Sequence, residues 1–441
     1  GGNSTAKQQM FLKGENCYPN ISQANFEKIP GSPIAYWVSE KIIKIFSYDL
    51  IKNISDAKQG IATGNNDYFL REWHELSIRK ISFHNKKTKW YPYRKGGTNR
   101  KWYGNFSLVV NFENDGFEIK NYKDENGKLK SRPQNLNYQF KEGLTWSLTN
   151  SGTFSLRYAP ENFIFDVNGM TLFPYNSNDF FYILGVFNSK VGNAILKIIN
   201  PTMAFQSGDI ESVPFIRSSI NTSFVEQNIS FSKADWDSRE TSWDFETHPL
   251  IQADQDSLQS AYQVWESKVM HDFYQLHANE TELNRIFIEI YGLQEELTPE
   301  VKLKDITILQ EELDPKVFGE ATEPVGALPI KQDVVMRQLI SYLMGCLMGR
   351  YRLDKPGLHI AHPNPTSEEI VAYAYNNHTV AIDEDGIIPL MDSSCSFADN
   401  ALIRLKFLLE VQWGDDKQMV ETINFMEAAL GKDLETFLVK D

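Results

Sequence analysis

The chain has 441 residues, 41% of them hydrophobic, which is enough for a large core divided between two or three domains. Its three widely spaced cysteines exclude a disulfide scaffold, and its longest apolar run, 339–349, is about half of what spans a bilayer, so we expect a cytoplasmic protein without a membrane partner. The net charge of −14 is unevenly distributed. Residues 1–225 hold 27 Lys and Arg and 19 Asp and Glu, so this part is basic, whereas the remaining residues hold 17 Lys and Arg and 39 Asp and Glu and are acidic.

The first half of the chain shows patterns of both strands and helices. Alternating apolar residues on both sides of the Asn-Asp-Gly at 114–116 predict a β-hairpin over 106–122. Apolar residues at helical spacing predict a helix through 184–198. Near 216–232 the periodicity is lost and Ser and Asn accumulate, which indicates a domain boundary.

Beyond the boundary, helical spacing prevails. One apolar stripe covers 258–276 and another covers 283–290, which Gly292 would end as a helix C-cap. Further predicted helices lie at 333–351, 400–414 and 418–431, and a helical pattern continues to the last residues, which favours a piece of a longer protein. The expected fold class is therefore α+β, with a mixed α/β domain over 1–220 and a mainly helical domain over 221–441.

The segment KWYPYRKGGTNRKWYGN, residues 89–105, mixes Lys and Arg with aromatic residues and glycines. The longer stretch 76–112 holds nine basic side chains and no acidic one. Cations neutralise phosphates, aromatic faces stack on bases, and the glycines at 96–97 would let backbone N–H groups approach phosphate oxygens, so the mixture favours nucleic-acid binding. The structural alternative is a solvated basic loop with Trp90 and Trp102 in the core.

The stretch GIATGNNDYFLREW, residues 60–73, places turn residues ahead of an aromatic and aliphatic run. Gly64, Asn65 and Asn66 can hydrogen-bond a ligand and Arg71 can hold a phosphate, although a tight turn before a strand or helix explains the pattern equally well. The candidate DNA-binding residues are Gly64, Asn65, Asn66, Arg71, Lys86, Lys87, Lys89, Trp90, Arg94, Lys95, Arg100, Lys101, Trp102 and Tyr103.

The motifs of common active sites are missing from the sequence. It contains no Gly-x-Gly-x-x-Gly or Walker loop, no Gly-x-Ser-x-Gly elbow and no two adjacent prolines. His359 and His362 have a spacing found in metal sites, but no third ligand is evident near them, and a structural role is the better interpretation. We therefore expect no catalytic, cofactor-binding or metal-binding residue in this chain.

A set of segments identifies a family. They run in order from about residue 26 to residue 400, and they read FEKIPGSPIAYWVSEKI, GIATGNNDYFLREWHE, WYPYRKGGTNRKWYGN, GLTWSLTNSGTFSLRY, NPTMAFQSGDIESVPF, DWDSRETSWDFETHPL, LNRIFIEIYGLQEELTPEV, LISYLMGCLMGRYRLDKPGL and GIIPLMDSSCSFADN. In these segments the sequence resembles the C-terminal part of the PglX family, the adenine-specific DNA methyltransferases of BREX phage-defence systems.

The resemblance implies a parent enzyme that methylates adenine N6 with S-adenosylmethionine. The cofactor and an Asn-Pro-Pro-Tyr motif that holds the flipped adenine would belong to an N-terminal Rossmann-like domain, so this chain alone is expected to be inactive. Its implied role is DNA target recognition by residues 1–220, with 221–441 as a helical scaffold. The implied partners are double-stranded DNA, other BREX components and acidic phage inhibitors that mimic DNA.

The resemblance also divides the roles within the basic part. The family-wide appearance of 90–97 and 100–105 suggests that these residues serve the phosphate backbone or the fold, with base readout in loops such as 85–89 or 123–132. Two alternatives remain open. The chain is an interaction scaffold of the defence complex, with a basic part that only packs on the catalytic domain, or it is the specificity part of a restriction-modification enzyme.

Overall fold

The computed structural model describes residues 4–14, 22–83, 88–149, 153–391, 397–414 and 416–440. The described part of the chain has the expected α+β fold, with most strands before residue 175 and mainly helices after it. The strands are β1 Ser55–Lys58, β2 Leu70–Glu72, β3 Trp90–Arg94, β4 Leu108–Asn111, β5 Gly143–Thr145, β6 Arg157–Ala159, β7 Ile164–Phe165, β8 Thr171–Pro174, β9 Tyr373–Tyr375 and β10 His378–Val380. The helices are α1 Ser4–Leu12, α2 Glu40–Ile45, α3 Asn66–Phe69, α4 Glu113–Lys120, α5 Phe180–Asn188, α6 Lys190–Ile199, α7 Ser207–Glu211, α8 Ser223–Asp237, α9 Pro249–Gln252, α10 Leu258–Ile290, α11 Gln332–Leu347, α12 Ala401–Trp413, α13 Asp416–Leu430 and α14 Leu434–Lys440.

Two four-stranded sheets organise the first half. The first has the strand order β1-β8-β5-β6 and is antiparallel throughout. The second has the order β2-β4-β3-β7, in which only the β3–β7 pair is parallel. The late strands β9 and β10 form a separate antiparallel pair.

The second sheet is covered on both faces, because successive side chains of a strand point to opposite sides. On one face Tyr93 and Val110 pack with Phe69 and Ile119, which belong to α3 and α4. On the other face, residues of β3 and β4 pack in a separate cluster of Trp73, Ile81, Trp90 and Val109. The first face therefore supports both the turn that precedes α3 and the loop that follows α4.

The predicted hairpin over 106–122 is wrong. Strand β4 pairs with β2 and β3 instead, and the residues after it form α4. Asn114, Asp115 and Gly116 all adopt left-handed backbone conformations, with φ of 50°, 58° and 70°. The apparent alternation after the turn is a helical turn that buries Ile119 and leaves Phe117 64% exposed.

The helix predicted through 184–198 is interrupted. Ser189 has an extended backbone, with ψ of 165°, and its hydroxyl accepts a hydrogen bond from Gly192 N at 3.3 Å, so it ends α5 and caps α6. Serine is a favoured N-cap because its oxygen satisfies a free N–H of the first helical turn. In contrast, the two stripes at 258–276 and 283–290 lie on one helix, α10, and Gly292 follows it with a φ of +66°.

The two halves share a core. One buried cluster joins Trp102 and Trp146 from the first half to Phe287 and Leu339 from the second. A Cβ at Gly185 in α5 would lie 3.1 Å from the Phe287 ring, so α5 and α10 are in close contact. The division into domains at 220/221 stays a prediction. In the described ranges, none of the helices is both long and apolar enough to cross a membrane.

Candidate nucleic-acid interface

Arg94 ends strand β3 with its guanidinium inside the protein. The side chain is 1% exposed, lies over the Phe163 ring, and donates to the carbonyl oxygens of Lys141 at 2.7 Å and Pro160 at 2.6 Å. Burial lowers its pKa to about 9. Arg94 therefore ties the 141–160 region to the second sheet and presents no charge at the surface.

Arg100 and Lys101, further along the basic segment, are buried in ion pairs. Arg100 pairs with Asp235 of α8 and lies over the Trp236 ring. Lys101 donates to Glu280 of α10 at 2.6 Å. These contacts correct the expectation of an exposed basic surface here, because carboxylates of the acidic half already neutralise both side chains.

The aromatic side chains of the segment belong to the core, as the structural alternative expected. Trp90, Trp102 and Tyr103 are 7%, 1% and 5% exposed. Trp102 Nε1 donates to Glu280 Oε1 at 2.8 Å, so one carboxylate holds two adjacent residues of the segment. Gly97 N donates to Ser147 Oγ at 3.0 Å, so this backbone donor is used within the fold.

The other cations among the candidate DNA-binding residues differ in their exposure. Lys95 is half-buried, and Lys89 lies 3.9 Å from Glu113. Arg71 lies over Trp90 and donates to the Asp67 and Leu70 carbonyl oxygens, each at 2.6 Å. Lys86 and Lys87 lie outside the described residues.

The turn at 62–66 is built to meet the loop at 122–132. Gly64 has a φ of +79°, and a Cβ there would lie 2.9 Å from the Lys130 carbonyl carbon, so a glycine allows the close approach. Ala62 and Arg132 exchange two backbone hydrogen bonds of 3.1 and 2.8 Å. Asn65 caps α3 by accepting from Tyr68 N at 3.2 Å and donates to Tyr122 Oη at 3.2 Å.

The loop is held in shape by hydrogen bonds among its own residues. Asp124 Oδ1 accepts from the N–H groups of Asn126 and Lys128, both at 2.9 Å, and Gly127 closes the turn with a φ of +76°. Lys130 N donates to the Tyr122 carbonyl oxygen at 2.9 Å. The surface formed by residues 62–66 and 122–132 is called the turn–loop face below.

The turn–loop face exposes the groups that bind DNA in other proteins. Asn66 is exposed, and its Oδ1 accepts a hydrogen bond from Thr63 Oγ1 at 2.8 Å. The amide N–H groups of Asn66 take no part in this bond. Tyr68, adjacent to the face, is 54% exposed, and its ring is parallel to that of Tyr122. The exposed cations, for which the described residues provide no ion-pair partner, are Lys123, Lys128, Lys130 and Arg132.

The structure thus places the turn at 62–66 next to the loop at 122–132, although the two are distant in the sequence. Gly64 lies against Lys130, and Asn65 bonds Tyr122 just before the 123–132 loop, for which the resemblance had suggested base readout. Tyr68 and Tyr122 were missed as members of the site. The available signal for Tyr68 was its position two residues after Asn66, which was already a candidate. Nothing in the sequence indicates that Tyr68 pairs with Tyr122.

Comparison with known proteins gives a consistent result. No family model matches the chain. Over 97% of its length, it is 36% identical to the adenine-specific methyltransferase PglX of Lacticaseibacillus casei (strain Zhang). It is 35% identical, also over 97% of its length, to the adenine-specific methyltransferase BrxX of Escherichia coli O9:H4 (strain HS). The chain spans 35% of the length of each relative, and it therefore belongs, as a part of this size, to the family of the adenine-specific methyltransferases PglX and BrxX.

Proposed function

We propose that this chain recognises the DNA target of an adenine-specific methyltransferase of a BREX defence system, and that the turn–loop face contacts the DNA. The observation that carries the proposal is the meeting of an exposed amide, two tyrosines and four exposed cations on one surface of a chain related to these enzymes. Phosphate contacts position a protein on DNA, whereas amide and aromatic groups can read or stack on bases.

The residues of the face have different roles in this proposal. Asn65 positions Tyr68 and Tyr122, because its amide group is already bonded to both residues. Asn66 is the candidate base reader, since asparagine can bond the N6 and N7 edge of adenine. The four cations hold phosphates, and the exposed Glu125 limits how closely the loop tip can approach the backbone.

The chemistry of methyl transfer belongs, in this proposal, to another part of the enzyme. S-adenosylmethionine would supply the methyl group there, and this chain, which has no adjacent prolines, holds neither the cofactor nor the flipped adenine. Incubation of the chain with duplex DNA and S-adenosylmethionine labelled on its methyl group should give no labelled DNA. Labelled adenine in the product would place an active site in this chain and contradict the proposed division.

The partners follow from the same surface. Double-stranded DNA would occupy the turn–loop face, and an acidic inhibitor that mimics DNA would compete for it. Other BREX components would bind elsewhere, and all of these contacts would take place in the cytoplasm.

Charge reversal tests the proposal directly. The double substitution Lys128→Glu and Lys130→Glu should weaken binding to cognate and unrelated duplexes alike, and reduce the slope of log K against log salt by about 2, because two phosphate contacts are lost. Fluorescence anisotropy of labelled duplexes at several salt concentrations measures both quantities. The single substitution Asn66→Ala should instead weaken binding mainly to the cognate duplex.

A matched control has the same change in charge. Lys316→Glu with Lys406→Glu alters two exposed lysines of the acidic half and should leave the slope unchanged. An equal loss in the control would mean that only net charge matters. An unchanged slope in the Lys128 and Lys130 variant, with its fold intact by circular dichroism, would remove the turn–loop face from the DNA interface.

A further inference from the structure

A large cleft is lined mainly by residues of the second half of the chain, together with Ile78 and Phe83 of the first half. It has a volume of about 1220 Å³ and lies between α8, the first half of α10, the 243–253 segment and α11. Its lining includes the buried apolar side chains Phe245, Trp265, Ile308, Leu309 and Val335. Small-molecule sites usually measure about 300–1,000 Å³, so this cleft has room for more than a single small ligand.

The cleft has an excess of carboxylates at its edge. Asp237 and Asp244 share one cation, Lys233, and Asp272 pairs with Lys268 at 2.7 Å. The exposed Glu246 has no ion-pair partner within the described residues. Four carboxylates therefore face two ammonium groups, and a polyanion such as DNA would be repelled from this surface.

Two deeper carboxylates line the cleft but are neutralised within the fold. Asp235 pairs with Arg100 and Arg239, and Glu312 accepts from Arg239 at 2.6 Å. Gln338 donates to the other oxygen of Glu312 at 2.9 Å. The negative charge available to a ligand is thus at the edge of the cleft, above an apolar floor.

One wall of the cleft is a single stripe of α10. Val264, Trp265, Lys268, Val269 and Asp272 follow one another at helical spacing and all line it. Val264 is 46% exposed although it is apolar. A partly exposed apolar stripe beside acidic groups is an arrangement that can take up an amphipathic segment of another polypeptide.

We propose that this cleft binds a short segment of a partner protein in which Lys or Arg side chains alternate with large apolar ones. The apolar side chains would enter between Trp265 and Phe245, and the cations would pair with Glu246 and Asp244. The charge complementarity selects this occupant, because the edge carries more carboxylates than the chain neutralises. The proposal does not depend on DNA binding, since the cleft shares no residue with the turn–loop face.

A pair of designed peptides tests the proposal on the whole chain. The first is a fluorescein-labelled 12-residue helix with four lysines on one face and leucine and tryptophan on the other, and the second has glutamate in place of each lysine. Anisotropy should show binding of the lysine peptide only. Equal binding of both peptides, or binding of neither, would overturn the proposal.

Substitutions at the cleft locate the binding. Glu246→Lys with Asp244→Lys should weaken binding of the lysine peptide at least tenfold, and Val264→Asn should weaken it without any change in charge. The matched control, Glu410→Lys with Glu421→Lys, reverses two exposed carboxylates of α12 and α13 and should have no effect. An equal loss in the control, with all variants folded by circular dichroism, would show that the peptide responds only to net charge and would overturn the proposal.

A second copy of the chain is the competing occupant. Helix α1 buries none of its residues and exposes Met10, Phe11 and Leu12 near Lys7 and Lys13, so it has a similar chemistry. Sedimentation of the chain over a range of concentrations distinguishes the two occupants. Dimers that disappear on removal of residues 1–14, and on the Glu246 and Asp244 reversal, would assign the cleft to self-association and overturn the proposal of a separate partner.

Discussion

Two basic regions of this chain have opposite environments. In the region 94–103, three of four cations are buried, and two of these are paired with carboxylates from helices of the acidic half. In the loop 122–132, all four cations are exposed and lack an ion-pair partner in the described part of the chain. The loop has fewer aromatic residues and two acidic ones, so from the sequence alone it was the weaker candidate for a polyanion site.

The difference shows what a basic run in a sequence can mean. Arg100 and Lys101 have counter-ions that are distant in sequence, and the resulting pairs connect the two halves of the molecule. Part of the excess positive charge of the first half is therefore neutralised inside the fold by carboxylates of the second half. Only cations that stay exposed can release counter-ions from DNA, so exposure must be known before a basic segment is assigned to a ligand.

The largest expected effect is on stability and would test the structural role of 94–103. Asp235→Asn removes the charge shared by Arg100 and Arg239, and breaking a buried ion pair in this way costs about 3–5 kcal/mol. Urea unfolding followed by tryptophan fluorescence measures the loss. The control is Asp115→Asn, which breaks the exposed pair with Lys120 and should cost less than about 1 kcal/mol. Similar small losses in both variants would contradict a structural role for the Arg100 pair.

A second, smaller effect is the dependence of that stability on pH. Burial alone would raise the pKa of Asp235, but Arg239 and Arg100 outweigh burial and hold the pKa below its ordinary value of 3.8. A carboxyl whose pKa is lower in the folded state stabilises the fold above the unfolded-state pKa and loses this contribution as the pH falls. The free energy of unfolding should therefore decline below about pH 3.8 more steeply in the unmodified chain than in Asp235→Asn.

Urea unfolding repeated at a series of acidic pH values measures this dependence. The Asp115→Asn control should retain the steep decline of the unmodified chain, because Asp235 is unchanged in it. Parallel declines in the unmodified chain and Asp235→Asn would mean that other carboxyls account for the acid sensitivity.

Much of the fold could be predicted because the signals are local. The stripe of α10 and its stop at Gly292 depend on residues within a few helical turns. The break at Ser189 was missed because an apolar pattern continues across it, while the cap depends on one hydroxyl. The left-handed residues at 114–116 suit a hairpin and a helical entry equally well, and the tertiary pairing of β4 with β2 and β3 decided between them.

The candidate site was predictable only in part, for a related reason. The turn at 64–66 was found from its composition, and the loop at 123–132 was suggested by the family resemblance as a place for base readout. The burial of Arg100 and Lys101 was not, because their partners are 135 and 179 residues away along the chain. Contacts over such separations leave no periodic signal in a single sequence, so the choice between a DNA-facing cation and a buried one required the structure.

The smallest expected effect concerns Lys95, the one cation of 94–101 that is not buried. A combined change of Arg94 and Lys95 to Glu would mix two effects, since Arg94 is 1% exposed and its loss disturbs the fold. The single substitution Lys95→Gln avoids this problem, because the half-buried side chain of Lys95 makes no hydrogen bond or ion pair with the described residues. If Lys95 contacts one phosphate, the slope of log K against log salt should fall by about 1 on every duplex, with an unchanged urea midpoint.

The control Lys316→Gln should leave the slope as it was. An unchanged slope in Lys95→Gln would assign the whole of 94–103 to the fold and leave the turn–loop face as the proposed DNA-binding surface. A loss confined to the cognate duplex would instead make Lys95 a base reader.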